Sequence, residues 1–342
     1  MCIQTRRNFP HPLPLKTGWP WTENSRSLDM VNLESQSWPK ISIVTPNLNQ
    51  GQYIEETIRS VLLQGYPNLE YIVIDGGSDD RSVEIIQKYN KWIKYWVSES
   101  DRGQAHALNK GFEVASGQIF AYINSDDLYT PYSFKKVATE YNQRKGPVLI
   151  AGECEVFENN IVKRVFKPSW PIELSYFLSK TYSSTFAQPS SFWDSNSYKK
   201  LGGFDESLHY CFDREFFFRL GQLGIRPLLI DQVLSRFREH SNSKTIAHAE
   251  GFHVESIQIL EKHSKSLGIQ IWQKKKWKKR MENEIEYSKV FRTWKEFGRI
   301  KAINAFTKMI LKTPSMLFER KILGQARRLF TFKEKNVIEL NL

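Results

Sequence analysis

The first half of the chain alternates between short apolar runs and amphipathic stretches. The apolar, β-branched runs, which have the length of strands, are residues 41–46, 71–75, 93–98 and 118–124. The stretches whose apolar positions recur every three or four residues, which predicts helices, are 53–62, 82–89, 104–115 and 132–141. The strand runs are too apolar for one face to meet solvent. The pattern therefore predicts an α/β fold in which a mostly parallel sheet is covered by helices on both sides.

Polar residues collect where three of the predicted strands end. Thr45, Pro46 and Asn47 follow the first strand, the sequence DGGSDD (75–80) follows the second, and NSDD (124–127) follows the fourth. In parallel sheets, ligands bind at the carboxyl ends of the strands. The convergence of three polar segments on one sheet edge predicts a binding site there.

Two interpretations fit the DGGSDD segment. It contains neither the phosphate loop of NTPases nor a dinucleotide fingerprint. It could be a turn in which Ser78 or Asp80 caps the next helix. Alternatively, Asp75 accepts a hydrogen bond from a nucleobase N–H, and the two glycines let a ligand approach the backbone.

The NSDD segment also has two interpretations. An aspartate near the start of the helix at 132–141 would favour the helix dipole, but this explains one carboxylate better than two. Adjacent carboxylates raise each other's pKa unless a cation is present. A divalent ion with oxygen ligands, Mg²⁺ or Mn²⁺, would resolve the repulsion between Asp126 and Asp127.

Several segments in order resemble glycosyltransferase family 2. They are ISIVTPNLNQGQYIEETIRSVLLQGYPNLEYIVIDGGSDD, SESDRGQAHALNKGF and the strand ending in NSDD, followed by QPSSFW, GGFDESLHYCFDREFFFRL and FREHSNSKT. The resemblance covers about residues 40–245. It implies a GT-A fold, Rossmann-like, and an inverting enzyme that uses a nucleotide-activated sugar and a divalent metal.

The resemblance also implies roles for individual residues of the donor site. Thr45 and Pro46 would line the nucleobase pocket and Asp75 would pair with the base, with a UDP-sugar favoured. The other residues that it assigns to the donor are Asn49, Asn124 and Asp126, the last near the ribose. The arginine that the family frequently carries near the third helix is absent from HALNKG, so Arg102 or Lys110 would have to approach the diphosphate. The residues expected at Mn²⁺ or Mg²⁺ are Asp127, Asp126 and His240, where His240 would contact the metal or a phosphate or else be structural. Asn124 stands where many relatives carry Asp, so it can accept a hydrogen bond but brings no charge.

On the acceptor side, the resemblance implies that Asp213 is the general base, with Glu215 as second choice. Asp213 could instead be a surface helix residue paired with Arg214 or Arg219. Gln188 and Pro189 are expected to shape the acceptor pocket.

The net charge of +12 comes from the C-terminal region. Residues 272–342 contain 19 Lys and Arg against 7 Asp and Glu, and the rest of the 342 residues balance. This predicts a basic, amphipathic helical appendage that either packs on the catalytic domain or binds an anionic membrane surface. No nucleic acid is expected as a partner. The predicted organisation is an extended arm at 1–39, a GT-A domain at 40–271 with halves meeting near residue 130, and the basic tail at 272–342.

The three cysteines show neither zinc-ligand spacing nor a disulfide framework, and the N-terminus lacks a signal-like apolar run. We therefore expect a cytoplasmic protein, either free or peripheral at the inner face of the plasma membrane. The leading hypothesis is a metal-dependent inverting glycosyltransferase that acts on a glycan or lipid-linked acceptor in surface polysaccharide or glycolipid synthesis. The alternative is a non-catalytic relative that binds a sugar nucleotide or glycan and is recruited by its basic tail.

Overall fold

The computed structural model of the chain describes residues 9–12, 15–23, 38–144, 146–171, 173–179, 185–240, 244 and 249–314. The rest of the predicted arm and of the predicted basic tail lies outside the described residues. The chain forms two compact units, of which the first comprises residues 1–177 and 184–239 and the second residues 178–183 and 240–342. The second unit thus begins well before residue 272, where the sequence predicted the start of the appendage.

The first unit is built on a mixed sheet. In the described part of the chain its strands are β1 Ile41–Asn47, β2 Leu69–Asp75, β3 Tyr95–Ser98, β4 Ile119–Tyr122, β5 Leu128–Tyr129, β6 Leu149–Glu158, β7 Ile161–Phe166, β8 Ser191–Asp194 and β9 Pro227–Arg238. Their order is β3-β2-β1-β4-β8-β6-β9-β5, and β7 pairs with β6. The four strands predicted from the apolar runs, β1 to β4, are mutually parallel, as expected. Antiparallel pairing begins where β8 joins β4.

Helices cover the sheet of the first unit. Those described are α1 Ile54–Leu62, α2 Ser82–Lys88, α3 Gln104–Val114, α4 Ser133–Asn142, α5 Leu174–Ser179, α6 Ser195–Leu201 and α7 Phe212–Gln222. The first four agree with the predicted helices to within one residue at every end. Helix α3 lies so close to β1 that a Cβ added at Gly111 would come within 2.5 Å of a Val44 methyl. Glycine at this position brings the start of α3 close to the carboxyl edge of the sheet.

The described parts of the N-terminal arm are fastened to the first unit through Arg59 of α1. The Arg59 guanidinium is completely buried and donates hydrogen bonds to the carbonyls of Pro10 (3.0 Å) and Pro20 (3.2 Å). It also donates to the Tyr89 hydroxyl at 2.8 Å. Farther along the arm, the Trp19 indole donates to a backbone carbonyl of β5 at 2.8 Å. Because a buried guanidinium needs partners for its donors, these carbonyls hold the arm in place.

The second unit is helical in its described part. It contains α8 Ala249–His263, α9 Ile271–Phe297 and α10 Arg299–Lys312. Helices α9 and α10 form a hairpin whose small core consists of Val290, Trp294, Ala302, Phe306 and Met309. Ion pairs Lys278–Glu261 (2.6 Å) and Arg292–Glu250 (2.6 Å) join α9 to α8. Among the described residues, no helix is both long enough and apolar enough to cross a bilayer.

Candidate active site

The carboxylate of Asp75, the last residue of β2, is completely buried among hydrogen-bond donors. Its Oδ1 accepts from Asn47 Nδ2 and Ser78 Oγ, both at 2.6 Å. Its Oδ2 accepts from Ser98 Oγ at 2.6 Å and from the backbone N–H groups of Ser78 at 2.9 Å and Gly77 at 3.2 Å. Burial alone would raise its pKa, but the bonds from Ser78, Ser98 and Asn47 outweigh burial and lower the pKa. A nucleobase that pairs with Asp75 would have to displace one of these donors.

The two glycines after Asp75 are explained by the packing of a neighbouring loop. A Cβ added at Gly76 would lie 2.7 Å from Asp101 Oδ2. Gly77 has φ +84°, and its Cβ would lie 3.2 Å from the Ser100 backbone nitrogen. The glycines therefore let the β3–α3 loop pack against the end of β2, whether or not a ligand also approaches the backbone.

The rest of DGGSDD is bound to the loop after β1. Asp80 accepts hydrogen bonds from the backbone N–H groups of Ser82 at 2.8 Å and Gly51 at 2.7 Å, so it satisfies the N–H of the first residue of α2, although the N-cap position itself is Arg81. Asn49 adopts a left-handed φ of +53°, and its Oδ1 accepts from the Asp79 N–H at 2.9 Å. In this arrangement the Asn49 side chain shapes the loop, and its predicted contact with the donor stays a prediction.

Thr45 and Pro46, the predicted lining of the nucleobase pocket, are both buried within β1. The Thr45 hydroxyl accepts a hydrogen bond from the Tyr71 hydroxyl at 3.0 Å. Leu48, the residue that follows β1 directly after Asn47, is exposed. Thr45 and Pro46 thus form part of the buried carboxyl end of β1. Their contact with a nucleobase remains a prediction.

The basic residues near α3 have acidic partners. Lys110 Nζ lies 2.5 Å from Glu99 Oε1, and an Arg102 guanidinium nitrogen lies 2.6 Å from Glu206 Oε2. Asn109 Nδ2 donates to the other oxygen of Glu206 at 3.0 Å. These contacts join α3 to the segment before α7. For Lys110 to reach a diphosphate, as predicted, it would have to exchange Glu99 for the phosphate.

The NSDD segment forms a tight turn around Asp127. The Asp127 carboxylate is completely buried, and it accepts hydrogen bonds from the Arg238 N–H at 2.9 Å and from Asn124 Nδ2 at 3.3 Å. Asn124 Oδ1 accepts in turn from Gln104 Nε2 of α3 at 2.6 Å. The Asp126 side chain is half-exposed. An aspartate in place of Asn124 would put a third carboxylate against Asp127, so the neutral amide fits this local structure.

The environment of Asp127 disfavours its charge. Burial raises its pKa well above the usual carboxyl range, and the negative charge of Asp126 raises it further. The hydrogen bonds from the Arg238 backbone and Asn124 lower the pKa without cancelling these effects. A divalent cation near Asp126 and Asp127 would stabilise the ionised form of Asp127, which burial and Asp126 disfavour.

Helix capping does not explain the paired carboxylates. Strand β5 lies between Asp127 and helix α4. The helix begins instead beside Thr130, whose hydroxyl lies 2.9 Å from Ser133 Oγ and whose carbonyl accepts a hydrogen bond from that hydroxyl at 2.8 Å. The capping interpretation of NSDD is therefore wrong.

Arg238, at the end of β9, holds this turn, a role that the sequence did not predict. Its guanidinium donates to the Asp126 carbonyl at 2.8 Å and to Glu56 Oε2 of α1 at 2.9 Å. It also lies over the rings of Tyr53 and Phe157, at 4.9 and 4.5 Å from their centroids. A sequence signal was present, because Arg238 is a cation directly before the polar segment that contains His240, but nothing in the sequence pairs it with Asp127.

The pair Asp126 and Asp127 suits a divalent ion that prefers oxygen ligands, such as Mg²⁺ or Mn²⁺. No group of three His, Cys, Asp or Glu side chains within the described ranges is placed to hold a metal. Mg²⁺ and Mn²⁺ are commonly bound by one or two protein carboxylates, with substrate phosphates completing the shell. His240, the third predicted ligand, belongs to the second unit, and its metal role stays a prediction.

Helix α7 carries the two predicted base candidates. Asp213 lies in its first turn, half-buried, and its Oδ1 accepts the Arg214 N–H at 2.7 Å. Glu215 is completely buried, and its Oε2 pairs with Arg219 Nε at 2.7 Å. A general base must reach the acceptor hydroxyl, and the buried Glu215, paired with Arg219, is not placed to do so. We therefore withdraw Glu215, the second choice, and retain Asp213 as the candidate base.

Tyr122, the last residue of β4, connects the turn with the acceptor side. Burial raises the pKa of its hydroxyl, and the charges of Asp213 and Asp127 raise it further. Its ring centroid lies 6.1 Å from that of Phe212, the residue before Asp213. Its carbonyl accepts a hydrogen bond from Gln188 Nε2 at 2.7 Å. Gln188 is buried and fixes the end of β4, which is a supporting position for the acceptor pocket predicted there.

A sheet with carboxylates at its parallel edge, joined to a helix that presents another carboxylate, defines the class of GT-A glycosyltransferases. Solved structures of Staphylococcus aureus TarS match the fold with a TM-score of 0.53 and 17% identity, over 85% of this chain and 88% of that one; one of them is a complex with UDP-GlcNAc. The mannosyltransferase PcManGT from Pyrobaculum calidifontis, solved with GDP-Man and Mn²⁺, matches with a TM-score of 0.51 and 16% identity, covering 86% of this chain and 84% of that one.

The chain belongs to glycosyltransferase family 2. The family model for glycosyl transferase family 2 matches residues 42–197. An uncharacterized glycosyltransferase of Mycobacterium tuberculosis, MT1564, is 31% identical over 202 residues, which cover 59% of this chain and 76% of the relative. TuaG of Bacillus subtilis, provisionally named for teichuronic acid biosynthesis, is 38% identical over 101 residues, 29% of this chain and 40% of TuaG.

Proposed function

We propose that this glycosyltransferase transfers a sugar, with inversion and with a divalent metal, from a nucleoside-diphosphate sugar to a hydroxyl of a glycan or lipid-linked acceptor. The observation that carries the proposal is the position of Tyr122, which ends the strand leading into the Asp127 turn and whose ring centroid lies 6.1 Å from that of Phe212, the residue before Asp213. In this proposal the paired carboxylates Asp126 and Asp127 serve the donor side, and Asp213 on α7 serves the acceptor side. A single displacement needs such groups on the two sides of the anomeric carbon.

The relatives support the donor and the biological role. TarS has been solved with UDP and with UDP-GlcNAc, PcManGT has been solved with GDP-Man and Mn²⁺, and TuaG is named for teichuronic acid biosynthesis. We favour a UDP-sugar as donor and surface polysaccharide or glycolipid synthesis as the process. A lipid-linked acceptor would bring the reaction to a membrane, which makes an anionic membrane surface a proposed partner of the basic region from residue 272 onward.

In this proposal Asp213 acts as the general base. Its carboxylate accepts the proton of the acceptor hydroxyl as that oxygen attacks the anomeric carbon. The bond from the anomeric carbon to the diphosphate oxygen breaks in the same step, and the nucleoside diphosphate leaves from the opposite face. One in-line displacement of this kind inverts the anomeric configuration.

On the donor side, Asp126 and Asp127 would hold the metal. When bound, the ion neutralises charge that develops on the leaving diphosphate. Asp126 offers the half-exposed carboxylate, while Asp127 is buried and is fixed by hydrogen bonds from the Arg238 N–H and Asn124. The buried position of Asp127 fits a fixed second carboxylate that raises the local affinity for a cation.

The direct test is to measure nucleoside diphosphate release from UDP-, GDP- and dTDP-sugars with Mn²⁺, with Mg²⁺ and with EDTA. We expect one donor to be hydrolysed and EDTA to abolish the release. Release that persists in EDTA would contradict the metal requirement. If no donor is hydrolysed yet one nucleotide raises the melting temperature, the non-catalytic alternative gains support.

A second test isolates the base. Asp213→Asn should lower sugar transfer by about 10²–10⁴-fold, the usual contribution of a general base, while nucleotide binding stays unchanged. The matched control is Asp231→Asn, whose carboxylate is 93% exposed and which should retain full activity. Transfer by Asp213→Asn at the wild-type rate would remove Asp213 from this role.

A further inference from the structure

The second unit concentrates positive charge at one end of one helix. The first ten residues of α9, 271–280, contain six basic residues and no acidic one: Lys274, Lys275, Lys276, Lys278, Lys279 and Arg280. The rest of α9, residues 281–297, contains three basic and four acidic residues. This uneven distribution within a single helix marks residues 271–280, the basic end of α9, as a distinct surface.

The basic end of α9 has an inner and an outer side. On the inner side, Lys278 pairs with Glu261 of α8 at 2.6 Å. On the outer side, Lys275, Lys276 and Lys279 are exposed and form no ion pair with any residue that the structure describes. They follow Trp272 by three, four and seven positions, so all four side chains lie on one face of the helix. Three lysines on this face are thus available to an anionic partner.

Two large apolar side chains accompany the lysines. Ile271 is 74% exposed and Trp272 is 64% exposed, and they are adjacent at the start of the helix. Isolated exposed apolar residues are ordinary on protein surfaces. An exposed tryptophan and isoleucine next to lysines instead combine two features of membrane-binding surfaces, since tryptophan is enriched at membrane interfaces and lysines are attracted to anionic lipids.

We propose that the basic end of α9 docks on an anionic lipid membrane surface. Ile271 and Trp272 enter the headgroup region, and Lys275, Lys276 and Lys279 face the lipid phosphates. The apolar pair favours a membrane over a nucleic acid or another soluble polyanion, because burial of apolar surface adds nothing to a purely electrostatic contact. The proposal is independent of the proposed enzymatic function, since membrane binding needs neither a donor nor an acceptor.

Co-sedimentation of the full chain with vesicles tests the electrostatic part. Wild type should bind vesicles of phosphatidylcholine mixed with phosphatidylglycerol much more tightly than vesicles of phosphatidylcholine alone. Each lysine near an anionic surface contributes about a factor of five in affinity, so the triple variant Lys275→Gln/Lys276→Gln/Lys279→Gln should bind on the order of 100-fold more weakly. The control Lys135→Gln/Lys199→Gln/Lys200→Gln removes the same charge from exposed lysines of the first unit and should bind like wild type.

A second pair of variants tests the apolar part. Ile271→Ser/Trp272→Ser should weaken vesicle binding by about tenfold or more and abolish the binding that survives high salt, because salt screens only the charges. The control is Ile161→Ser/Val162→Ser, two adjacent exposed apolar residues on β7, which should leave binding unchanged. Circular dichroism of each variant confirms that the helices remain folded.

Three results would overturn the proposal. The first is equal binding of wild type to neutral and anionic vesicles. The second is a triple variant that binds no more weakly than its control. The third is an unchanged Ile271→Ser/Trp272→Ser variant together with full displacement by soluble polyphosphate, which would identify the surface as a binder of soluble polyanions. None of these results bears on donor hydrolysis, so the enzymatic proposal stands or fails separately.

Discussion

Asp75 and Asp127 follow the two strands that flank β1, and both carboxylates are completely buried. Their surroundings are opposite. Asp75 accepts five hydrogen bonds, and its pKa is lowered despite burial. Asp127 accepts hydrogen bonds from Arg238 and Asn124, but burial and the charge of Asp126 outweigh these bonds and raise its pKa. Two buried aspartates at the same sheet edge therefore have opposite electrostatic preferences.

The difference separates a residue that organises the fold from one that awaits a ligand. Folding alone accounts for the ionised Asp75, because its charge is stabilised by groups of the chain itself. Folding does not account for Asp127, whose charge the chain leaves unfavourable. Perturbed carboxylates of this kind are concentrated at functional sites, which is why we place the cation at Asp127 and its neighbour Asp126.

The largest expected effect is on stability at Asp75. Asp75→Ala would leave the buried donors of Asn47, Ser78 and Ser98 without an acceptor, and we expect a loss of about 3–5 kcal/mol in the free energy of unfolding. Urea denaturation measures this loss. Asp79→Ala, an exposed neighbour in the same loop, should change the free energy of unfolding by no more than about 0.5 kcal/mol. A loss below about 1 kcal/mol for Asp75→Ala would show that the network is dispensable.

The next effect is at Arg238, which holds the Asp127 turn. Arg238→Ala removes the bonds to the Asp126 carbonyl and to Glu56 and should cost about 2–3 kcal/mol, since Glu56 is left largely buried without a partner. Arg238→Lys keeps a cation for Glu56 but not the fork that also reaches Asp126, so it should recover only part of the loss. Denaturation of both variants in EDTA provides the measurement. Equal stability of Arg238→Lys and wild type would mean that the fork contributes nothing beyond its charge.

The comparison of the two aspartates also shows what could be predicted from the sequence. The parallel strands and their helices were predictable because each apolar run has the length of one element and polar residues mark its end. The convergence of residues 75–80 and 124–127 on one edge followed from the topology of parallel sheets. Family membership, and with it the GT-A fold, followed from the ordered motifs and is confirmed by the matching relatives.

The remaining features depend on contacts between distant parts of the chain. Arg238 meets Asp127 across 111 positions, and Arg59 meets Pro10 across 49, so no local pattern could indicate either contact. Glu215 was kept as a second choice because helical spacing alone does not show which carboxylate Arg219 will bind. The main part of the second unit begins at His240 because α9 packs with both α8 and α10, and this packing was not visible in the composition.

The smallest effect on stability, and the sharpest test of the comparison, is expected for Asp127→Asn. In EDTA at neutral pH the substitution should change the free energy of unfolding by no more than about 1 kcal/mol, because it removes a charge that the fold does not favour. Donor hydrolysis should nevertheless be lost if Asp127 supports the metal. A large destabilisation would instead make Asp127 an anchor like Asp75.

The pH dependence of unfolding distinguishes the two aspartates by sign. The pKa of Asp127 is higher in the folded state than in the unfolded state, so the native protein holds this proton more tightly. The stability that Asp127 contributes is therefore full below about pH 4, the pKa of an unfolded carboxyl group. It is lost as the pH rises through the folded-state pKa. Asp75 has a lowered pKa, so its stability is present above about pH 4 and is lost as the pH falls through its folded pKa. In EDTA, wild type should therefore lose stability relative to Asp127→Asn as the pH rises from 4. Mn²⁺ should reverse that loss in wild type only, because the cation stabilises the ionised form; a metal effect of equal size in Asp127→Asn would place the ion elsewhere.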